Sequence, residues 1–171
     1  RLVNIVAPNL DLNVEQQICL QKVIEYIHNS SLLHDDLIDQ STLRRGKTAA
    51  WKKYGADHAI LAGDFLLAKV ISLLCEQGNL KLVSYTADVI MELIEGEWRQ
   101  DDLKSSTQIK SKDLLKVHEL KTSSLKKWGL RAPFYLANRN EKELHQCLED
   151  IGRLMGVIFQ RSDDLIDYDI R

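Results

Sequence analysis

Six aspartates, set in two copies of the pentapeptide DDLID, are the residues of this sequence best suited to do chemistry. Asp35, Asp36 and Asp39 belong to one copy, and Asp163, Asp164 and Asp167 to the other. On a helix, positions i, i+1 and i+4 project in neighbouring directions, so each copy gathers its carboxylates into one cluster. Such clusters repel unless a cation or solvent compensates them. Hard oxygen donors suit Mg²⁺, which takes one or two carboxylates and completes its octahedron with water and phosphate oxygens. Two clusters facing each other across a helical cavity would clamp a diphosphate between metal ions. An acidic helical turn is ordinarily a solvated face, and either copy alone reads that way. The repetition argues otherwise, as do the apolar flanks, Leu32-Leu33 before one copy and Val157-Ile158-Phe159 before the other. A Ca²⁺ loop is disfavoured, because neither copy has the glycine and distal glutamate such a loop needs.

The neighbourhood supplies cations. Arg44 and Arg45 follow the first cluster, and the guanidinium fork suits phosphate. Lys121-Thr122 and Lys126-Lys127 lie further on. Six aspartates would be balanced by about three Mg²⁺ ions, leaving diphosphate groups for lysine and arginine to meet.

Long elements must hold these residues. The chain has 171 residues, 44% hydrophobic and 28% charged, with two prolines and eight glycines, which favours a single helical domain over many short strands. A formal net charge of −2 gives no general basic character for nucleic acid. Cys19, Cys75 and Cys147 lack metal-ligand spacing and read as reduced thiols. The longest apolar region, residues 59–75, is interrupted by Asp64 and Lys69, so no integral membrane segment is expected. Apolar spacing and punctuation predict helices over residues 14–39, 56–76, 80 to about 100, 111 to at least 128, and 141–169. Residues 40–46 and 104–111 read as polar loops, and Gly129 and Pro133 as a kink or break. The fold class is all-α.

Taken in order, the motifs resemble those of the trans-polyprenyl diphosphate synthases. The run from Glu25 to Asp39 with the following Arg44-Arg45-Gly46 resembles that family's first aspartate-rich element. Gly63-Asp64-Phe65-Leu66-Leu67-Ala68, Gly96-Glu97-Trp98-Arg99-Gln100, Lys121-Thr122, and Gly152, Gly156 and Phe159-Gln160 ahead of the second DDLID are similar to its remaining elements. The resemblance implies an isoprenoid-synthase-type helical bundle around a central cavity. It also implies Mg²⁺, about three ions, and joining of isopentenyl diphosphate to an allylic diphosphate by electrophilic alkylation.

By that resemblance Asp35, Asp39, Lys121 and Asp163 are the expected catalytic residues. Asp35 and Asp39 would hold two metals and Asp163 a third, supported by Asp36, Asp164 and Asp167. Arg44 and Lys121 with its neighbour Thr122 would grip the allylic diphosphate, Arg45 the isopentenyl diphosphate, and Gln160 would stand near the allylic site. A homodimer is implied as well. The family's upstream Gly-Lys-x-x-Arg-Pro segment and its helices beyond the second motif have no counterpart, so the chain is expected to be a fragment of a longer enzyme. Lys126-Lys127-Trp128 stands where the family helix is small and apolar, which implies an altered cavity wall or an unusual surface.

Ser31 and Ser30 stand four and five residues before Asp35, about one helical turn (roughly 5–6 Å) deeper. Two small residues there would let a product longer than C15 grow, unless they simply permit helix packing. A class I terpene cyclase is less well matched, since its second metal site mixes Asn, Ser/Thr and Glu. A non-catalytic subunit of a heteromeric synthase would be expected to lose aspartates. Free cysteines and the absence of a visible signal make the cytoplasm the expected location.

Overall fold

The computed structural model describes residues 2–106 and 108–169, the last three by backbone alone. Its main elements are α1 (Leu2–Val6), α2 (Val14–Ile38), α3 (Ala50–Tyr54), α4 (Ala56–Glu76), α5 (Leu80–Lys104), α6 (Ser111–His118), α7 (Ser124–Leu136) and α8 (Lys142–Asp169). A five-residue π-helical turn, Glu119–Ser123, joins α6 to α7. The all-α reading holds.

Local chemistry starts the two longest early helices. Asn13 and Gln16 form a reciprocal cap, each side chain accepting from the other's backbone N–H, at the head of α2. Asn79 accepts from the Leu82 N–H at the head of α5 and donates to the Tyr135 carbonyl, tying α5 to α7. The core sits where α2, α4, α5 and α7 meet, around Leu20, Val23, Ile27, Val70, Leu74, Leu82, Val89 and Trp128. Trp128 is fully buried and gives its indole N–H to Thr86 at 2.8 Å, so its one polar atom is satisfied there.

Several expectations are corrected. The loop at 40–46 is part of a small hairpin, β1 (Leu43–Arg44) against β2 (Lys47–Thr48), with Leu43 opposite Thr48. Its two connecting residues, Arg45 and Gly46, both take positive φ, 50° and 74°, which a two-residue turn of this hand requires. Helix α5 runs one turn further than residue 100, to Lys104. Gly129 and Pro133 do not break α7. Both are buried, and the helix ends only at Leu136, one turn after the proline, because close packing outweighs the one backbone bond that proline removes.

Among the described residues, α4 is long and apolar enough to cross a membrane by length and composition, with mean hydropathy 1.7; Asp64 and Lys69 do not exclude it on that measure. In the structure it lies along α2 and buries Ala59, Gly63, Val70 and Leu74. Ile60, Leu61, Phe65 and Ile71 on the same helix are exposed.

Glycines set the close contacts around the π-helical turn. A Cβ on Gly96 would come within 2.9 Å of the Lys121 backbone nitrogen, and one on Gly156 within 2.4 Å of the Ser123 Cα. Neither helix could approach the turn this closely with a larger residue. The backbone of α5 is thereby laid against Leu120 and Lys121, and that of α8 against Ser123.

Candidate functional site

The first acidic turn closes α2, and its three aspartates point to three different partners. The Asp35 carboxylate is nearly buried and lies 3.8 Å from the Lys121 ammonium. Lys121 is held in turn by both oxygens of Glu97, at 2.5 and 2.6 Å, and by Gln100 at 3.2 Å. Glu97 and Gln100 are one turn apart on α5, and the Gly96 contact brings that face against Lys121. Burial pushes Asp35 up to about 6; Lys121 pulls it back, while Glu97 and Asp39 raise it further.

Asp36 goes the other way. It is 4% exposed and accepts from the Arg44 guanidinium, with Nε at 2.8 Å. The sequence reading puts Asp36 in one cluster with Asp35 and Asp39, and Arg44 on the substrate. Here each neutralises the other, fixing the hairpin to the end of α2. Successive helical residues diverge by about 100°, enough to send Asp35 and Asp36 to different neighbours. Arg45 is exposed at the hairpin tip. Asp39, at the helix end, pairs with Lys104 at 2.7 Å.

The second acidic turn lies near the end of α8. Asp163 and Asp164 are exposed, and the side chain of Asp167 is outside the described residues. Asp164 accepts from Gln160 at 3.0 Å, and its other oxygen stands 3.3 Å from His118 Nε2. Gln160 in turn accepts from the Thr122 hydroxyl at 2.8 Å. Thus Thr122, Gln160 and Asp164 form a relay from the π-helical turn to the second acidic turn. His118 was not singled out from the sequence; it sits three residues before Lys121, and only the approach of α8, which brings Asp164 to it, marks it out.

Asp164 of the second acidic turn lines a cavity of about 340 Å³, and the first turn meets that cavity through two of its lining lysines, Lys121 paired with Asp35 and Lys104 with Asp39. Lys104, Gln100, Lys121, Thr122, Gln160 and Asp164 contribute its polar lining. Lysines from α5 and the π-helical turn thus stand between the aspartates of α2 and those of α8. Among the described residues, no three carboxylate, imidazole or thiol side chains converge to hold a metal on their own. Mg²⁺ fits this donor set nevertheless. The donors are all oxygen, and the nearly buried Asp35 carboxyl, crowded by Glu97 and Asp39, has need of positive charge. Such an ion takes few protein ligands and fills the rest of its shell with water and phosphate.

The two serines ahead of Asp35 differ in place. Ser30 is buried, donating to the Gly63 carbonyl at 2.9 Å inside the α2–α4 contact, which is the packing role rather than a cavity wall. Ser31 is half-buried and donates to the His28 carbonyl one turn back. Lys127 is not an altered cavity wall or a surface charge. It is 9% exposed, bridging Glu92 of α5 at 2.7 Å and Glu149 of α8 at 3.1 Å, and the exchange locks α7 between those helices.

The polyprenyl synthetase family model matches residues 2–170, nearly the whole chain. The chain belongs to the polyprenyl synthetase family. A relative named octaprenyl diphosphate synthase, from Haemophilus influenzae, is 32% identical over 162 residues, covering 95% of this chain and 49% of that protein. This polyprenyl synthetase chain therefore spans about half the length of the curated relatives it matches. A geranyltranstransferase structure from Thermotoga maritima superposes with a TM-score of 0.89 at 29% identity, over 98% of this chain and 63% of that one. A polyprenyl synthase structure from Caulobacter crescentus, complexed with calcium and isoprenyl diphosphate, gives a TM-score of 0.86 at 32% identity, covering 99% of this chain and 49% of that one. The matched residues take in both DDLID turns, that of α2 and that of α8.

Proposed function

We propose that this chain carries the catalytic centre of a Mg²⁺-dependent trans-prenyltransferase. The reaction is head-to-tail (1′-4) condensation of isopentenyl diphosphate with an allylic diphosphate. One observation carries the reading. Lys121, paired with the nearly buried Asp35, lines one cavity together with the Thr122–Gln160–Asp164 relay of the second acidic turn. Bound Mg²⁺ would supply Lewis-acid stabilisation of the departing pyrophosphate, held by Asp35 and Asp39 on one side and Asp163 on the other.

The chain's own residues do the rest. Lys121, fixed by Glu97 and Gln100, presents a positive charge where negative charge grows on the leaving diphosphate. Gln160, bonded to Thr122, holds its amide at the same wall. Arg45, free at the hairpin tip, is the guanidinium available to the isopentenyl diphosphate, whereas Arg44 serves through Asp36. No side-chain base is required, since the departing pyrophosphate can take the proton.

The product is proposed to be longer than C15. Ser31, one turn before Asp35, is small and only half-buried, and the H. influenzae relative is named for an octaprenyl product. Substituting Phe for Ser31 should shorten the product, while Phe for Ser30 should disturb the α2–α4 contact instead. The protein is further proposed to be a cytoplasmic homodimer, with the exposed apolar residues of α4 in the interface. Light scattering on a chromatography column reports the mass directly.

The decisive experiment incubates the protein with Mg²⁺, isopentenyl diphosphate and farnesyl diphosphate, and sizes the products. Mg²⁺-dependent elongation is expected, and its absence in a folded preparation would overturn the reading.

A further inference from the structure

Lys104 is the last residue of α5, in a stretch the sequence reads as loop, and its ammonium crosses to α2 to meet Asp39 at 2.7 Å. Its other acidic neighbour is Asp101 of its own helix, at 3.5 Å. It also lines the 340 Å³ cavity beside Gln100 and Lys121.

Two lysines therefore share one task, since Lys121 faces Asp35 and Lys104 covers Asp39. Their freedom differs. Lys121 is clamped by Glu97 and Gln100 and its side chain is 27% exposed. Lys104 is 49% exposed, and every partner it has is also solvent-accessible. An exposed ammonium on a four-carbon stem exchanges partners at little cost. Asp39 is one of the two α2 carboxylates proposed to hold metal, so a divalent cation there must displace this lysine. The displaced charge already stands at the rim of the cavity that a diphosphate would enter.

We propose that Lys104 is an exchangeable counter-ion, holding Asp39 until a divalent cation takes that carboxylate and then pairing with the incoming diphosphate. The inference rests on the functional reading above and makes Lys104 a further substrate-binding residue. Its signature is a pair of effects of opposite sign. Without the ammonium, Asp39 stands uncompensated near Asp35 and Asp101, so a cation should bind more tightly. The diphosphate, by contrast, loses a partner. A lysine that merely braced α5 against α2 would weaken both events or neither.

The test uses the whole protein, Mg²⁺ alone as the first probe, and inorganic pyrophosphate in saturating Mg²⁺ as the second, both followed by calorimetry. In Lys104→Gln the Mg²⁺ dissociation constant should fall about two- to fivefold, the scale of one exposed ion pair. The pyrophosphate dissociation constant should rise roughly tenfold, the scale of one charge-assisted hydrogen bond. Lys104→Arg should keep both constants near wild type. Unchanged or weaker Mg²⁺ binding in Lys104→Gln, or unchanged pyrophosphate binding, overturns the proposal. Both measurements read binding rather than turnover. Failure of the wild type to elongate farnesyl diphosphate would thus sink the functional reading separately.

Discussion

The same five residues, DDLID, end α2 and approach the end of α8, yet the two copies live in opposite surroundings. In α2, Asp35 is nearly buried against Lys121, Asp36 is buried against Arg44, and Asp39 meets Lys104. Each carboxylate has a cation beside it, although Asp35 shares Lys121 with Glu97. In α8, Asp163 and Asp164 are exposed, and Asp164 is steadied by an amide and an imidazole rather than by a lysine or arginine. Local sequence makes both turns acidic helices. What each copy can do is decided by the elements packed against it, and the first already meets lysine and arginine while the second does not.

The contrast should be plainest in catalysis. Asp35 is fixed between Lys121 and Glu97, so its loss removes both a metal ligand and the orientation of Lys121. Asp35→Ala should lower kcat by roughly 10³-fold or more, and Asp163→Ala, on the open side of the cavity, by roughly 10²-fold. Steady-state elongation assays at saturating Mg²⁺ compare the two. Equal losses would mean that the surroundings seen here do not set the roles of the two copies.

Stability should separate the copies as well. Asp36→Ala removes a buried carboxylate and strands the Arg44 guanidinium, at a cost of about 2–3 kcal/mol, reduced from a fully buried pair because Arg44 is partly exposed. The equivalent change in α8, Asp164→Ala, touches an exposed residue and should stay within about 0.5 kcal/mol. Urea unfolding of the two variants measures the difference. A cost below that of Asp164→Ala would show that the hairpin is not anchored through Asp36.

Much of this was legible in the sequence. The bounds of α4 match the expected 56–76, and α2 starts at the Val14 that follows its Asn13 cap, because period and capping are local properties. Lys121 was also singled out, by resemblance, though as a grip on the allylic diphosphate rather than as the partner of Asp35. Three things could not be read. The split between Asp35 and Asp36 depends on which helix and hairpin flank α2, which adjacent identical residues do not reveal. Lys127 looks like a surface charge until Glu92 and Glu149, 35 residues before it and 22 after, are brought to it by α5 and α8. Ser30 and Ser31 are the same residue type side by side, yet only Ser30 faces Gly63. Each of these is a long-range pairing, and periodicity carries no information about partners.

A subtler contrast concerns the metal-free protein and pH. Burial raises Asp35 from its ordinary 3.8 to about 6, so the folded chain binds a proton between those values that the unfolded chain does not. Where the native state holds more protons, stability falls as pH rises. The folded metal-free protein should therefore lose stability as pH climbs from about 4 to about 6, and should stay without that contribution at neutral pH. Asp35→Asn, neutral throughout, should raise metal-free stability by about 1–2 kcal/mol at pH 7.5 and flatten that part of the pH profile. Asp163→Asn, made at an exposed site, should do neither. Thermal melts from pH 4.5 to 8, in chelator and again in Mg²⁺, test the pair. Mg²⁺ should stabilise the wild type and erase most of the advantage of the asparagine variant, because a cation at Asp35 removes the cost of keeping that carboxylate charged. If Asp35→Asn melted no higher than the wild type in chelator at pH 7.5, Lys121 alone would already balance Asp35. The first acidic turn would then be no more in need of a cation than the second.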